Sequence, residues 1–469
     1  MRPFLPARSL LCLASCLLFS FSAEAGVAAA DAARLGKELT AIGAERAGNK
    51  DGTIPAWTGA SNFTDEQKHY TPADLEKLRK GDPDKIEKTL EQAAGSASKV
   101  SFEITAANLA QYAGKLSDGH KALFAAYPDY KMRVYPTIRT GYFPPEIEAA
   151  TIANATAASL EGSDSVKGAK LGFPFPIPKS GAEVIWNHKL KFKGDAARRY
   201  NNQAIVKPDG SYLITKLVED VKFVYANIEH PGDGKLSAFY QSETLAPARV
   251  AGQITLVHET ADQSSGGRAA WIFSPALGRV TRAPDVGYDN PAVGTDGEQF
   301  NDQIDVFNGA LDRYSWKLIG KKEIYIPYNS YLINSPKVKY KDILRAHHIN
   351  QDLARYELHR VWVVEATLKP GQRHQFAKRV FYVDEDSWSI AVVDCYDERG
   401  KLWKVQEAHL LTAPFVPTVT GVPELIYDLQ SKRYFTTAMS NEEQITDFQA
   451  RYDDNYFDPA TLKRRARNR

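Results

Sequence analysis

Glu357-Leu358-His359-Arg360-Val361-Trp362-Val363-Val364-Glu365-Ala366-Thr367-Leu368-Lys369-Pro370-Gly371-Gln372, followed by a second apolar run over residues 374–383, is the stretch that decides the fold. In an extended chain Leu358, Arg360, Trp362, Val364 and Ala366 fall on one face, while His359 and Glu365 fall on the other. Val361 and Val363 blur the alternation. Lys369-Pro370-Gly371-Gln372 is turn chemistry. A link that short joins antiparallel neighbours, because a parallel return needs a crossover of about a dozen residues.

The same grammar repeats outward. Residues 387–394 and 402–411 are further strand-like runs, separated by Asp384-Glu385-Asp386 and by Asp397-Glu398-Arg399-Gly400. Upstream, residues 183–193, 211–225, 249–259, 269–273, 279–283 and 316–326 read as strands, with Ser274-Pro275-Ala276-Leu277-Gly278 closing a hairpin. With seven Trp, 23 Tyr and 21 Phe against three Met, the chain favours residues that pack on pleated surfaces. The expected fold is mainly β with α (α+β): one large, curved antiparallel sheet with helices against one side.

Residues 26–180 are patterned differently. Helices are expected over 28–39, 71–94, 106–127 and 145–160, the second opened by Thr71-Pro72. Phe173-Pro174-Phe175-Pro176-Ile177-Pro178 reads as an extended hinge into the second region, because each proline fixes its φ and biases its predecessor away from helix. The division is therefore residues 1–25, 26–180, 181–440 and 441–469, the last a final helix over 441–452 and a basic tail. Lys463, Arg464, Arg465, Arg467 and Arg469 make that tail, a solubilising end or a contact for anionic headgroups.

The first 25 residues read as an export signal. Arg2 and Arg8 precede an apolar run over residues 10–21, and Ala23-Glu24-Ala25 offers a small-x-small cleavage site, which places the mature chain in the periplasm. Such a run is too short to span a membrane, which needs about 20 apolar residues. Leu13-Ala14-Ser15-Cys16 supplies an alternative, lipidation of Cys16 as an outer-membrane lipoprotein, but the apolar run continues past that cysteine. Cys12 and Cys16 leave with the signal, so Cys395 remains and no internal disulfide can form. The formal net charge of +2 gives no reason to expect nucleic acid as a partner.

Chemical motifs are missing. No Gly-x-Ser-x-Gly elbow, phosphate-binding glycine loop, Cys-x-x-Cys or His-Glu-x-x-His occurs, so neither catalytic residues, nor a metal, nor a cofactor is expected. Asn49-x-Asp51-Gly52 is only superficially similar to a calcium loop and reads as a turn, and His347-His348 point apart on any regular element. Asp296, Glu298, Asp302, Asp305 and Asp312 form an acidic run, read first as a solvated loop and second as the carboxylates of a hydrolase. A broad sheet that its own side chains do not fill leaves a cavity suited to an acyl chain or a sterol-like molecule. Trp186, Trp271, Trp362, Phe381, Trp388 and Trp403 are the candidate lipid-binding wall residues.

Several strings resemble a known family. They are the run from Leu39 to Asn49 with Gly52-Thr53-Ile54-Pro55-Ala56-Trp57-Thr58-Gly59, Ile185-Trp186-Asn187-His188, Tyr325-Ile326-Pro327-Tyr328-Asn329-Ser330-Tyr331, and Phe381-Tyr382-Val383-Asp384-Glu385-Asp386-Ser387-Trp388. Phe173 to Pro178, Ala283 to Pro291 and Ala354 to Trp362 belong to the same set. Together they are similar to a family of exported proteins of about this length, catalogued as a domain of unknown function and classed as LolB-like. The resemblance implies an unclosed β-barrel of LolA/LolB type, whose concave face holds acyl chains in the outer-membrane lipoprotein carriers. It also implies work alongside an RND-type inner-membrane exporter and an outer-membrane partner protein, moving a lipid or other hydrophobic small molecule. An envelope scaffold without cargo is the remaining reading.

Overall fold

The extended runs assemble into one sheet in the computed structural model, which describes residues 26–93, 99–262, 266–283 and 288–467. The export signal and the lipidation alternative at Cys16 lie outside the described residues. The strands are β1 (Phe102–Ile104), β2 (Met132–Val134), the separate hairpin β3 (Ser159–Glu161) and β4 (Ser165–Lys167), β5 (Ala196–Val206), β6 (Tyr212–Phe223), β7 (Leu236–Ala246), β8 (Ile254–Thr260), β9 (Ala269–Ser274) and β10 (Arg279–Ala283). After them come β11 (Tyr314–Pro327), β12 (Tyr356–Leu368), β13 (Lys378–Asp384), β14 (Ile390–Tyr396), β15 (Leu402–Ala413), β16 (Thr418–Asp428) and β17 (Tyr434–Met439). Fifteen of these form a sheet in the order β1-β2-β12-β13-β14-β15-β16-β17-β5-β6-β7-β8-β9-β10, with β11 along the other side of β12. Among the described residues β10 and β11 pair no further strand, so the sheet does not close.

The reading centred on 357–411 holds strand for strand, as β12 to β15. Eight strands lay outside the sequence reading: the short β1 to β4, and β5, β7, β16 and β17. Strand β16 hid behind Gly421 and Pro423, which argue against a central strand. The ladder to β15 jumps a register between Ala408 and Leu410, and that bulge takes up the proline.

Helices stand on both faces of the sheet. Expected helix 28–39 shrinks to α1 (Ala29–Ala32), followed by α2 (Asp65–Lys68). Expected helix 71–94 is broken at Gly81-Asp82-Pro83 into α3 (Pro72–Lys80), capped by Thr71, and α4 (Lys85–Ala93). Expected helix 106–127 becomes α5 (Leu109–Tyr112) and α6 (Asp118–Ala126), and the fourth is α7 (Pro145–Ala157).

Residues 183–193 are not a strand but contain α8 (Gly181–Lys189). Ser180 accepts the Glu183 N–H as N-cap, and every residue of Ala182 and Val184–His188 is buried. A helix buried all round shows no polar face, so periodicity alone could not separate it from a core strand. A short α9 (Tyr340–Ile343) and α10 (Leu462–Arg467) complete the set.

The expected helix over 441–452 is also absent. That segment lies extended across β5, with Asp447 and Arg198 exchanging backbone bonds of 2.9 and 2.8 Å, and with the Tyr452 hydroxyl on Asp220 at 2.8 Å. Tertiary anchors override a weak helical pattern there. The Phe173–Pro178 connector is extended as its prolines dictate, yet pinned: Asn187 bonds both the N–H and the C=O of Phe175, at 2.9 and 2.7 Å.

Register separates the two faces. Val364 pairs Phe381, Phe381 pairs Val393, and Val393 pairs Gln406, which places all four on one face. Helix α8 presses there, with Gly181 against Val364 and Lys317. The opposite face carries Asp394 and Val405, against which Gly119 of α6 is packed. Ser117, Asp118 and Gly119 all donate to Asp394, at 2.9 to 3.0 Å.

Candidate functional site

Of the six aromatics chosen from the sequence, Trp186, Trp362, Phe381, Trp388 and Trp403 share one hydrophobic core, and Trp271 lies in another. Trp186 sits on α8, fully buried, with its indole N–H on the Ser163 carbonyl at 2.8 Å. Trp271 lies on β9 in a cluster with Phe457 and Leu462 of the C-terminal segment. Trp362 stacks on Trp388 at 6.1 Å, and Trp388 donates to the Ile42 carbonyl at 3.0 Å. Phe381 and Trp403 belong to a further aromatic group around Arg379, described below.

Two clefts flank the C-terminal half of α7. The larger, of about 490 Å³, lies where α7, the Phe175–Ile177 stretch, the first turn of α8 and the start of β11 meet. Leu160, Ile177, Ala182 and Trp316 give it apolar walls, and Lys179 and Lys369 stand among its polar groups. Both lysines are spoken for: Lys179 donates to the Gly26 carbonyl, and Lys369 to the Asp312 carbonyl at 2.7 Å. Burial raises the Glu183 carboxyl above its usual range there. The second cleft, of about 450 Å³, is lined by Ala150, Val166, Leu171 and the Lys167–Asp262 ion pair among others. None of the six sequence-chosen aromatics lines either cleft.

Behind the first cleft lies an aromatic cluster. Tyr314 and Trp316 line the cleft, and the Trp316 ring meets Phe307 and Phe381 at 5.6 and 5.7 Å. In the middle of the group is Arg379 on β13, whose guanidinium carbon lies 4.8 Å from the Phe307 ring centre, 4.7 Å from Tyr314, 5.6 Å from Phe376 and 5.7 Å from Phe381. Trp403 packs on Phe376 at 5.5 Å. Asp302 takes Arg379 Nη1 at 2.7 Å and His374 Nε2 at 2.9 Å on the same oxygen. Burial works against the Asp302 charge, but Arg379 and His374 prevail and hold its carboxyl well below the ordinary range.

Asp302 arrives on the loop between β10 and β11, which covers the α8 face of the sheet. That loop carries Val306 at a φ of 62°, a strained setting for a β-branched residue, and Phe307 next to it is fully buried. The acidic run is thereby dispersed among several partners. Asp305 meets Lys191 and Lys193, Glu298 meets Lys404 and Arg433, Asp296 meets Arg433, and the Tyr288 hydroxyl donates to Asp312. Asp302 and Asp305 line neither cleft.

A second charged network went unread in the sequence. His359, Asp384 and Asp386, all buried, bring potential ligand atoms within 4.8 Å of one another. Asp386, however, gives both oxygens to Arg139, and Asp384 accepts the Ser387 hydroxyl at 2.6 Å. His359 lies 3.3 Å from Glu357 and 3.6 Å from Asp384, so its surroundings are those of an ion-pair network. Burial beside Asp386 lifts the Asp384 carboxyl to about 7. Asp384-x-Asp386 was visible, but Arg139, 247 residues upstream of Asp386, was not a partner that spacing could supply.

The family described as "Protein of unknown function (DUF1329)" matches residues 103–463. An uncharacterized protein of Pseudomonas aeruginosa is 43% identical over 454 residues, which is 95% of this chain and 95% of that one. Among solved structures, a provisionally assigned outer membrane lipoprotein-sorting protein domain from Vibrio parahaemolyticus is similar at a TM-score of 0.42 and 16% identity, over 60% of this chain and 98% of that one. A LolA superfamily protein from Nitrosomonas europaea is similar at a TM-score of 0.37 and 13% identity, over 60% and 98% of the two chains.

Proposed function

The chain belongs to the DUF1329 family, and from that premise we propose that it is a periplasmic carrier that shields a hydrophobic cargo, not an enzyme. The observation that carries the reading is the cleft of about 490 Å³ beside the unpaired edge of β11, with Trp316, Leu160 and Ile177 in its walls. Its volume is in the range of small-molecule sites. Burying alkyl carbons there is worth about 0.8 kcal/mol per methylene. The leader over residues 1–25 supports the compartment, and an RND-type exporter and an outer-membrane protein are the partners this reading calls for. The test is mass spectrometry of an organic extract of protein purified from periplasm without detergent, joined to titration with a fluorescent fatty acid. A bound hydrophobic compound and a saturable probe support the carrier; a clean extract with no probe binding removes it.

A specific observation favours a second reading. Both faces of β12 to β15 are filled by the protein's own side chains, α6 on one and α8 with the β10–β11 loop on the other. Such filling suits an envelope scaffold that binds a partner and no cargo, and the negative outcome of the same experiment selects it.

A further inference from the structure

Arg379 is 1% exposed, and its pairing is incomplete. Nη1 is used by Asp302, whereas Nε and Nη2 are buried and have no hydrogen-bond partner. A guanidinium presents its donors as a planar fork, and two adjacent N–H groups match the two oxygens of a carboxylate. Leaving buried donors unmade is costly, and the aromatic faces around Arg379 offset this only in part, through cation–π attraction. Asp302 Oδ1 is also buried and without a hydrogen-bond partner. The neighbours of this polar spot are Phe307, Tyr314, Phe376 and Phe381. Tyr314 both faces Arg379 and lines the cleft.

From that geometry we propose that Arg379 is the headgroup site for a long-chain fatty acid, its carboxyl group on the free guanidinium fork and its alkyl chain along the aromatic cluster toward Trp316 and the cleft. The proposal rests on the carrier reading and names the class of cargo for it. It requires the cargo to be discriminated at its polar end, because an alkyl chain alone would bind equally well under any small headgroup.

The experiment compares palmitic acid with 1-hexadecanol, equal in chain length, by isothermal titration of the full mature chain and of Arg379→Gln. The wild type should bind palmitic acid at least tenfold more tightly, and Arg379→Gln should bring the two ligands level. Equal affinities in the wild type overturn the headgroup site and leave the carrier standing. Binding of neither ligand overturns both. Should Arg379→Gln fail to fold, the Arg379 Nε–H resonance of the wild type decides. A shift on adding palmitic acid but not hexadecanol supports the site, and no shift with palmitic acid overturns it.

Discussion

The guanidinium of Arg139 grips both carboxylate oxygens of Asp386, through Nε at 2.8 Å and Nη2 at 2.6 Å, with both side chains buried. Arg139 comes from the helical N-terminal region and Asp386 from the turn between β13 and β14, so one bidentate pair locks the two together. Glu385 at 3.1 Å and the Glu45 carbonyl at 2.8 Å take the remaining capacity of the same Nη2. The pair is geometrically complete, and its worth shows when one partner is removed.

Replacing Arg139 with Met leaves Asp386 buried without its cation. The expected loss is about 3–5 kcal/mol, read as a lower urea midpoint with an unchanged denaturant slope. A loss below about 1 kcal/mol would show that the network is not what holds the N-terminal region on the sheet.

Gly43 and Gly36 make a controlled pair. Both have left-handed backbones, with φ of 96° and 75°, but a Cβ on Gly43 would lie 1.8 Å from the Pro176 carbonyl oxygen, whereas nothing lies within 4 Å of one on Gly36. Gly36→Ala should therefore lose only the backbone term of about 1 kcal/mol, and Gly43→Ala clearly more, measured as the difference between their melting temperatures.

His409 supplies a pH dependence whose sign can be worked out. Burial lowers its imidazole from the usual 6.5 to about 4, against the pull of Glu407. As pH falls from 6.5 to 4, the unfolded chain takes up a proton there that the folded chain refuses. The stability this group contributes is present above 6.5 and falls by about 1.4 kcal/mol per pH unit, to a total of about 3 kcal/mol. His409→Gln removes that slope, so the stability of wild type relative to the variant must decline across this window in chemical denaturation at stepped pH.

Cys395 is fully buried, and burial pushes its thiol far above the range in which thiolate forms near neutral pH. Ellman's reagent at pH 8 should label it slowly in the folded protein and completely after guanidinium unfolding. Rapid labelling of the native chain would place the β14 strand end at the surface.

The legible part of this fold was local. The meander from β12 to β15 could be read because period-two alternation and links of a few residues act between neighbours in sequence. The α8 segment was misread for the opposite reason: a helix buried on all sides carries no amphipathic stripe, and only its Ser180-x-x-Glu183 cap marked it. Of the site, the aromatics were visible as residues but not as neighbours. Phe381 and Trp403 do belong to the cluster around Arg379, Trp186 joins the same hydrophobic core from α8, and Trp271 belongs elsewhere, because the C-terminal segment claims it.

By itself, then, the sequence determined a largely antiparallel, aromatic-rich sheet and the lack of familiar catalytic motifs. Both are written in contiguous residues. Only the tertiary structure decided which face each strand presents, that helices cover both faces, and that Asp302 reaches Arg379 across 77 residues of chain. A buried charge takes its partner from whatever the packed chain brings within about 3 Å, and no spacing in the sequence encodes that distance.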